Sequence, residues 1–590
     1  MALRSLTPGL LALLNSPRFG TSGGSGLPGT AAARSGGAGG RGQGFTPAPA
    51  HLKSTPAYSS PGAPALTLAP YAQSGTGGNG GAGTTGRAGT SEANAIGGYN
   101  YGNAGTGGRG GNGGGSNRVT ITLSDVQLGD TDALTSDIAP LGASAAGGNG
   151  GIGGNGGTGG YAGFDSAIAV PDGSGGSTIT PTGHGGTAGN GGQGGRGGNG
   201  ANSIAQVDHV QGTLAGGSSW SFQATASGGT GGTGGRAGAG GSGSPGGSGG
   251  TGGDGGNGGL ASAGLSDFGL TVTSAGSMGM SVSAFGGSAG HGGDGGSAGA
   301  SVQAISGQGT TTTYTNGGRG GAGGTGGDAT ATYAGNVVTA SASLDLTISL
   351  IARAGSQNGG GAGGSGGSSS YFGGNTSIAG TPGSPGLPGT TGTPMVVLSN
   401  NSIDLAGGGT LHLSLTAANG TGLSGPLSAA SGTLTFSSNH FDGSDWKLDL
   451  TAVARGAATI DINAHTLQIA DSPTNFLSGV SAIDGTIYSD HIADGAGNQS
   501  YGVYNSFDAA PDTITFAAGH GHDAIKGAGF SGVLVNLQGF AGLASYTDVQ
   551  AASSTGFDSL GSYTEVATPD GGSIRFESTF GLQPTWFTFT

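Results

Sequence analysis

Gly147–Gly160 reads GGNGGIGGNGGTGG, and Gly249–Gly259 repeats the pattern as GGTGGDGGNGG. The motif is Gly-Gly-x with a strict period of three. A chain in polyproline II geometry has three residues per turn and no internal hydrogen bonds, so every third side chain points the same way. The x residues are mostly Asn, Thr, Asp, Arg, Ser and Ala, with an occasional Ile152, and they form one largely polar stripe. The two glycine faces carry no side chains, so neighbouring backbones can approach and exchange N–H and C=O bonds. Polyglycine II packing is therefore the expected state, with a flexible Gly/Ser linker as the alternative. A linker needs no three-residue register, but ordering costs glycine more entropy than any other residue, and flanking structure must offset that cost. Asn149, an x residue, is expected to face solvent and to tolerate Ser.

Outward from this stretch, Gly-rich blocks begin near Gly75, Gly105, Gly147, Gly183, Gly228, Gly286, Gly317 and Gly359. Between them lie segments rich in Thr, Ser, Val, Ala and Ile, such as Arg118–Leu128, Ser218–Ser227, Leu270–Ser274 and Thr310–Tyr314. Several alternate in period two and read as strands. A 14-residue block spans about 43 Å at 3.1 Å per residue, close to the length of a strand of about 10–12 residues. The expected fold is all-β with polyglycine II helices: an elongated, solenoid-like Gly-rich rod followed by a C-terminal β domain, with essentially no helix. The blocks resemble the glycine-helix bundles of some phage tail adhesins and of the snow flea antifreeze protein. They also resemble the repeats of mycobacterial glycine-rich surface proteins, without the N-terminal helical domain of those proteins.

Composition sets the boundaries. Residues 1–73 read as a Pro/Ala/Ser-rich leader and 74–379 as the Gly-Gly-x region with interleaved strands. Residues 380–394 contain five Gly-x-y triplets, a collagen-like last rod or stiff connector. Residues 395–483 read as a β-strand domain, with turn signals at Gly407–Gly409, Asn419–Gly420 and Asp442–Gly443 and further alternation over Thr459–Ile469. Residues 484–590 form the last module.

Of 590 residues 146 are Gly and none is Cys, which excludes disulfides, thiolate metal sites and Cys nucleophiles. Residues 1–400 carry 13 acids and 12 Lys/Arg; residues 401–590 carry 17 and 4. The acidity belongs to the C-terminal third, two physically different regions are expected, and nucleic acid is not a partner. The apolar run Leu10–Leu14 is cut off by Pro8 and Gly9 and lacks a clean cleavage site, so it makes a poor signal peptide. The best apolar stretch, Val337–Ala354, carries Asp345 and Arg353 and reads as strand, so no transmembrane segment is expected.

Chemistry-bearing motifs are few. Asp512–Lys526, DTITFAAGHGHDAIK, holds one near-copy of the calcium-binding nonapeptide, with Gly519, Gly521, Asp523 and Ile525 in place and Ala518 where the first Gly belongs. Glycines permit a tight turn whose carbonyls face a hard cation, and Asp supplies the charged oxygen. Asp523, Gly519 and Gly521 are the candidate calcium residues, an ordinary turn being the alternative. Asp494–Gly502 is a poorer copy with Gln499 in the Asp position. His520 and His522 occupy free positions of the nonapeptide and imply no third ligand. Asp442 and Asp445 around Trp446 read as a polar hairpin turn, not as a carboxylate pair. No nucleophile elbow or phosphate loop is present, and an enzyme is not expected.

With the nonapeptide, the run Val533–Phe540, SYTDV at Ser545–Val549, PDGGSIRFES at Pro569–Ser578 and the tail Trp586–Thr590, the segment from about Asp484 resembles the C-terminal module of RTX-type proteins. The resemblance covers under a fifth of the chain, and one degenerate nonapeptide stands where tandem copies are usual. It implies export by a type I secretion exporter, a calcium cofactor, and an extracellular or bacterial cell-surface location. The leading expectation is a secreted structural or adhesive protein contacting surface or matrix glycans or proteins. A calcium-dependent binding or enzyme module and an ice-binding surface are the alternatives.

Overall fold

A computed structural model describes residues 4–6, 16–19, 21–27, 50–54, 66–93, 99–128, 134, 137–164, 166–171, 177–215, 219–303, 315–371, 374–407 and 409–419. Beyond these it describes 433–437, 440–443, 446–455, 476–477, 480–484, 491–493, 498, 500–502, 511–516, 518–526, 533–559, 561–579 and 581–589. The expected strands Thr310–Tyr314 and Thr459–Ile469, the run Leu10–Leu14, Asp445 and most of Asp494–Gly502 lie outside the described residues.

Alternation in the sequence becomes burial in the strands. In Leu344–Ala354, LDLTISLIARA, the residues Leu344, Leu346, Ile348, Leu350, Ala352 and Ala354 are buried, and those between them face outward or are half-buried. Each strand pairs in parallel with its equivalent one repeat later: Ser219–Ser227 with Gly276–Phe285, that strand with Leu344–Ala354, and Leu344–Ala354 with Gly409–Asn419. These belong to a 15-stranded sheet. A 13-stranded sheet holds Val119–Leu128, Ser203–Leu214, Ala261–Ser266, Ala329–Ala334, Pro394–Ser399 and Thr433–Ser437, again in parallel.

The two sheets touch face to face and enclose one apolar core. Phe222 of the larger sheet meets Phe268 of the smaller edge-on at 5.4 Å, and the Tyr333 hydroxyl donates to Met280 Sδ at 2.8 Å. Burial pushes the Tyr333 phenol far up. Rungs of the smaller sheet bend at a residue in the left-handed region: Asp125 (φ 55°), His209 (52°), Asp267 (55°), Gly335 (71°) and Asn400 (56°). The next residue in two of these rungs is a buried asparagine. Asn336 Nδ2 donates to Asn401 Oδ1 at 2.9 Å, and Asn336 Oδ1 accepts from the Phe268 N–H at 3.1 Å. The bend thus keeps its backbone groups paired inside the core.

The glycine segments continue the strands. Those leading into the smaller sheet (102–115, 185–200, 247–259, 317–327, 380–392) form one layer, and those leaving the larger sheet (75–89, 147–160, 228–241, 286–299, 355–367) form a second. In segments that have a further segment beyond them in their layer, the residue after x, usually Gly, donates to that neighbour, as Gly150 N–H does to Thr230 O at 2.8 Å. The second Gly donates across to the other layer, as Gly151 N–H does to Gly114 O at 2.8 Å.

The expected elongated Gly-rich rod followed by a separate β domain is overturned. The protein is built on mostly parallel-strand sheets: both run through position 395 and the larger also through 484, whereas the smaller ends at Phe476–Leu477 and a separate four-stranded sheet begins at His491–Ala493. The segments read as strands between the glycine blocks carry the main core, because each finds its partner one repeat away. Charge asymmetry suggested two physically different regions, but strand pairing runs through backbone and inward residues and does not follow the charge. Helix among the described residues is Tyr546–Ala551, capped by Ser545, and a 3-10 turn at Pro584–Trp586. The larger sheet ends in antiparallel strands Ser553–Asp558, Gly561–Ala567 and Ser573–Glu577. Among the described residues no helix is long and apolar enough to cross a membrane.

Candidate functional site

The nonapeptide-like turn joins strands Asp512–Phe516 and His522–Lys526. Gly519 (φ 93°) and Gly521 (φ 99°) both take left-handed geometry, which explains glycine at these two positions. Asp523 is buried, and its Oδ2 lies 2.5 Å from Nδ1 of His520, itself buried between the rings of Phe516 and Phe540. On the other side, His520 Nε2 lies 3.1 Å from Thr568 Oγ1, and Thr568 Oγ1 donates to Asp570 Oδ1 at 2.6 Å. Asp570 Oδ2 closes the circuit by accepting the Gly519 N–H at 2.6 Å. That backbone donor, followed by the Thr568 hydroxyl, holds the Asp570 carboxyl down at about 2.

The order carboxylate, imidazole, hydroxyl matches a nucleophile triad, but the Thr568 proton goes to Asp570 and leaves no activated hydroxyl. Gly519 and Gly521 lie in this turn and Asp523 at the start of the strand that follows it. The Gly521 carbonyl accepts the Ser573 N–H at 2.9 Å, and Asp523 faces His520. A calcium ion here would need Asp523 to exchange that partner for the metal. His522 points elsewhere, with Nδ1 2.9 Å from Ser573 Oγ. Asp442 lies in the strand His440–Gly443 instead of a turn.

A second cluster had no sequence signal beyond the Asp208–His209 pair. Parallel register sets Asp208 beside Ser266 and Ser124, so His209 falls between Asp267 and Asp125 on the neighbouring rungs. Ligand atoms of Asp208, His209 and Asp267 all lie within 4.8 Å of one another. Asp208 Oδ2 is 2.9 Å from His209 Nδ1, and Ser266 Oγ donates to Asp208 Oδ1 at 3.0 Å. The hydrogen bond to Asp208, then the charges of Asp208, Asp267 and Asp125, raise His209 above the usual histidine range. Two carboxylates and an imidazole offer the O,O,N donors of a borderline divalent ion. The same groups make a stable ion pair when His209 is protonated.

A shallow polar trough of about 970 Å³ lies on the layer that feeds the smaller sheet. Asn112, Arg196, Asn199, Asp254 and Asn257 line it. Asn112, Asn199, Asp254 and Asn257 share one role: Oδ1 accepts the backbone N–H of the matching x residue on the next segment. Asn112 takes Arg196 N–H at 3.0 Å, Asn199 takes Asn257 N–H at 2.9 Å, and Asp254 takes Ala322 N–H at 3.1 Å. Arg196 Nε lies 3.2 Å from Asp254 Oδ2. The frequency of Asn and Asp at x was the available signal; the stripe is a ladder of side-chain-to-backbone bonds as well as a solvent face.

No family model, no curated protein and no solved structure matches this chain.

Proposed function

We propose that the chain is a non-catalytic structural and adhesive protein of the bacterial exterior, exported by a type I exporter through its C-terminal module, and that it holds neutral surface or matrix glycans along the trough. The observation that carries this reading is the amide ladder. Asn112, Asn199 and Asn257 spend Oδ1 on a neighbouring N–H, which fixes each carboxamide and leaves its NH₂ as a donor. A row of fixed donors in an open polar trough suits an extended, hydroxyl-rich chain better than a compact small molecule. The RTX-like residues Pro569–Ser578 and the tail Trp586–Thr590 supply the export half of the proposal.

The test expresses the full chain with a matched type I exporter and assays the medium and cell surface. The expected outcome is exported protein that binds immobilised neutral polysaccharide, with Asn199→Ala/Asn257→Ala weakening binding several-fold. Protein retained inside the cell contradicts the export half. Exported protein without polysaccharide binding, or with binding unmoved by the double variant, contradicts the adhesive half.

A further inference from the structure

In the layer that feeds the smaller sheet, the residue after each x donates its N–H to the x carbonyl of the next segment. Gly107 donates to Asn190, Gly191 to Ser248, Gly249 to Asn316 and Gly317 to Thr381, at 2.8, 2.9, 3.1 and 3.0 Å. Segment 380–392 is the last described member. Its x residues Thr381, Ser384 and Leu387 accept from Gly317, Gly320 and Gly323, and its glycines Gly380, Gly383 and Gly386 donate across to Gly367, Gly364 and Gly361. The positions that would donate onward are Pro382, Pro385, Pro388, Thr391 and Pro394; the first three are exposed, and of the five only Thr391 has an N–H. Proline has no N–H, so four of the five donors that would propagate the layer are missing here.

We infer that these prolines terminate the glycine layer and block a second copy of this chain from adding a glycine segment to it. A second copy is the relevant occupant because its own segments carry x carbonyls at the same three-residue spacing. Sheet proteins protect exposed edges with proline for the same reason: an open row of donors templates another chain. A head-to-tail addition of this kind does not close on itself and would run to fibres.

The test compares the full chain with the triple variants Pro382→Gly/Pro385→Gly/Pro388→Gly and Pro382→Ala/Pro385→Ala/Pro388→Ala. Sedimentation velocity is run over a hundredfold range of concentration, with circular dichroism as the check on folding. Both variants restore the three donors, and both are expected to form species that grow with concentration while the parent chain does not. If the Gly variant loses its fold, the Ala variant decides. Folded variants that sediment like the parent overturn the inference. So does assembly of the Gly variant alone, which would trace to backbone freedom and not to donors.

Discussion

An ideal Cβ built on Gly151 would lie 2.0 Å from Gly78 O, and one on Gly154 would lie 2.0 Å from Gly81 O. No rotamer relieves such contacts, because the opposing atoms are backbone. Gly151→Leu and Gly154→Val should therefore open the layer at the cost of several paired amides, a loss of about 3 kcal/mol or more. Asn149 is different in kind. Its Oδ1 accepts the Thr230 N–H at 3.0 Å, so the expectation of a purely solvent-facing residue was incomplete. Asn149→Ser should cost about 1 kcal/mol, the scale of one exposed hydrogen bond. Asn149→Asp should be close to neutral, since Asp254 and Asp294 perform the same task in later segments. Melting temperature and limited proteolysis should rank the variants in that order. Equal small effects at Gly and x positions would contradict the packing. The period of three disclosed where side chains stand; it could not disclose that the amide oxygen of x is a structural acceptor, because its partner lies 81 residues away.

At the scale of elements, strands were legible wherever apolar residues alternate. Arg118–Leu128 and Ser218–Ser227 were placed to within a residue of the observed Val119–Leu128 and Ser219–Ser227. Their partners were not legible, since registers 58 to 84 residues apart leave no local mark. The C-terminal turn shows the same limit. Gly519 and Gly521 announce a turn by spacing, while Asp570, which holds it, arrives 51 residues later. That contact has a pH signature. The folded Asp570 carboxyl sits at about 2, below the ordinary Asp value of about 3.9. A depressed acid contributes stability that is fully present above pH 4 and is lost as pH falls through 2. Pepsin cleavage around Ala518–Gly521 should rise between pH 4 and 2 more steeply in the parent than in Asp570→Asn, which should be cut readily across that whole window. Parallel profiles would contradict the role given to Asp570.

At the scale of the whole molecule, the glycine layers and the facing sheets are one construction up to segment 380–392, its rungs continuing from strand into glycine segment, and the strands beyond extend the sheets without such segments. The core of the sheets supplies burial that the glycine segments lack, and the segments' amides are satisfied by neighbours rather than by water. Hydrogen exchange measures this directly. The amides of Gly150, Gly151, Gly153 and Gly154 each donate to a neighbouring segment at 2.8 Å, so they should exchange as slowly as those of the strand Gly276–Phe285. Exchange of the 147–160 amides at the rate of an unstructured chain, with the strand still protected, would contradict the account.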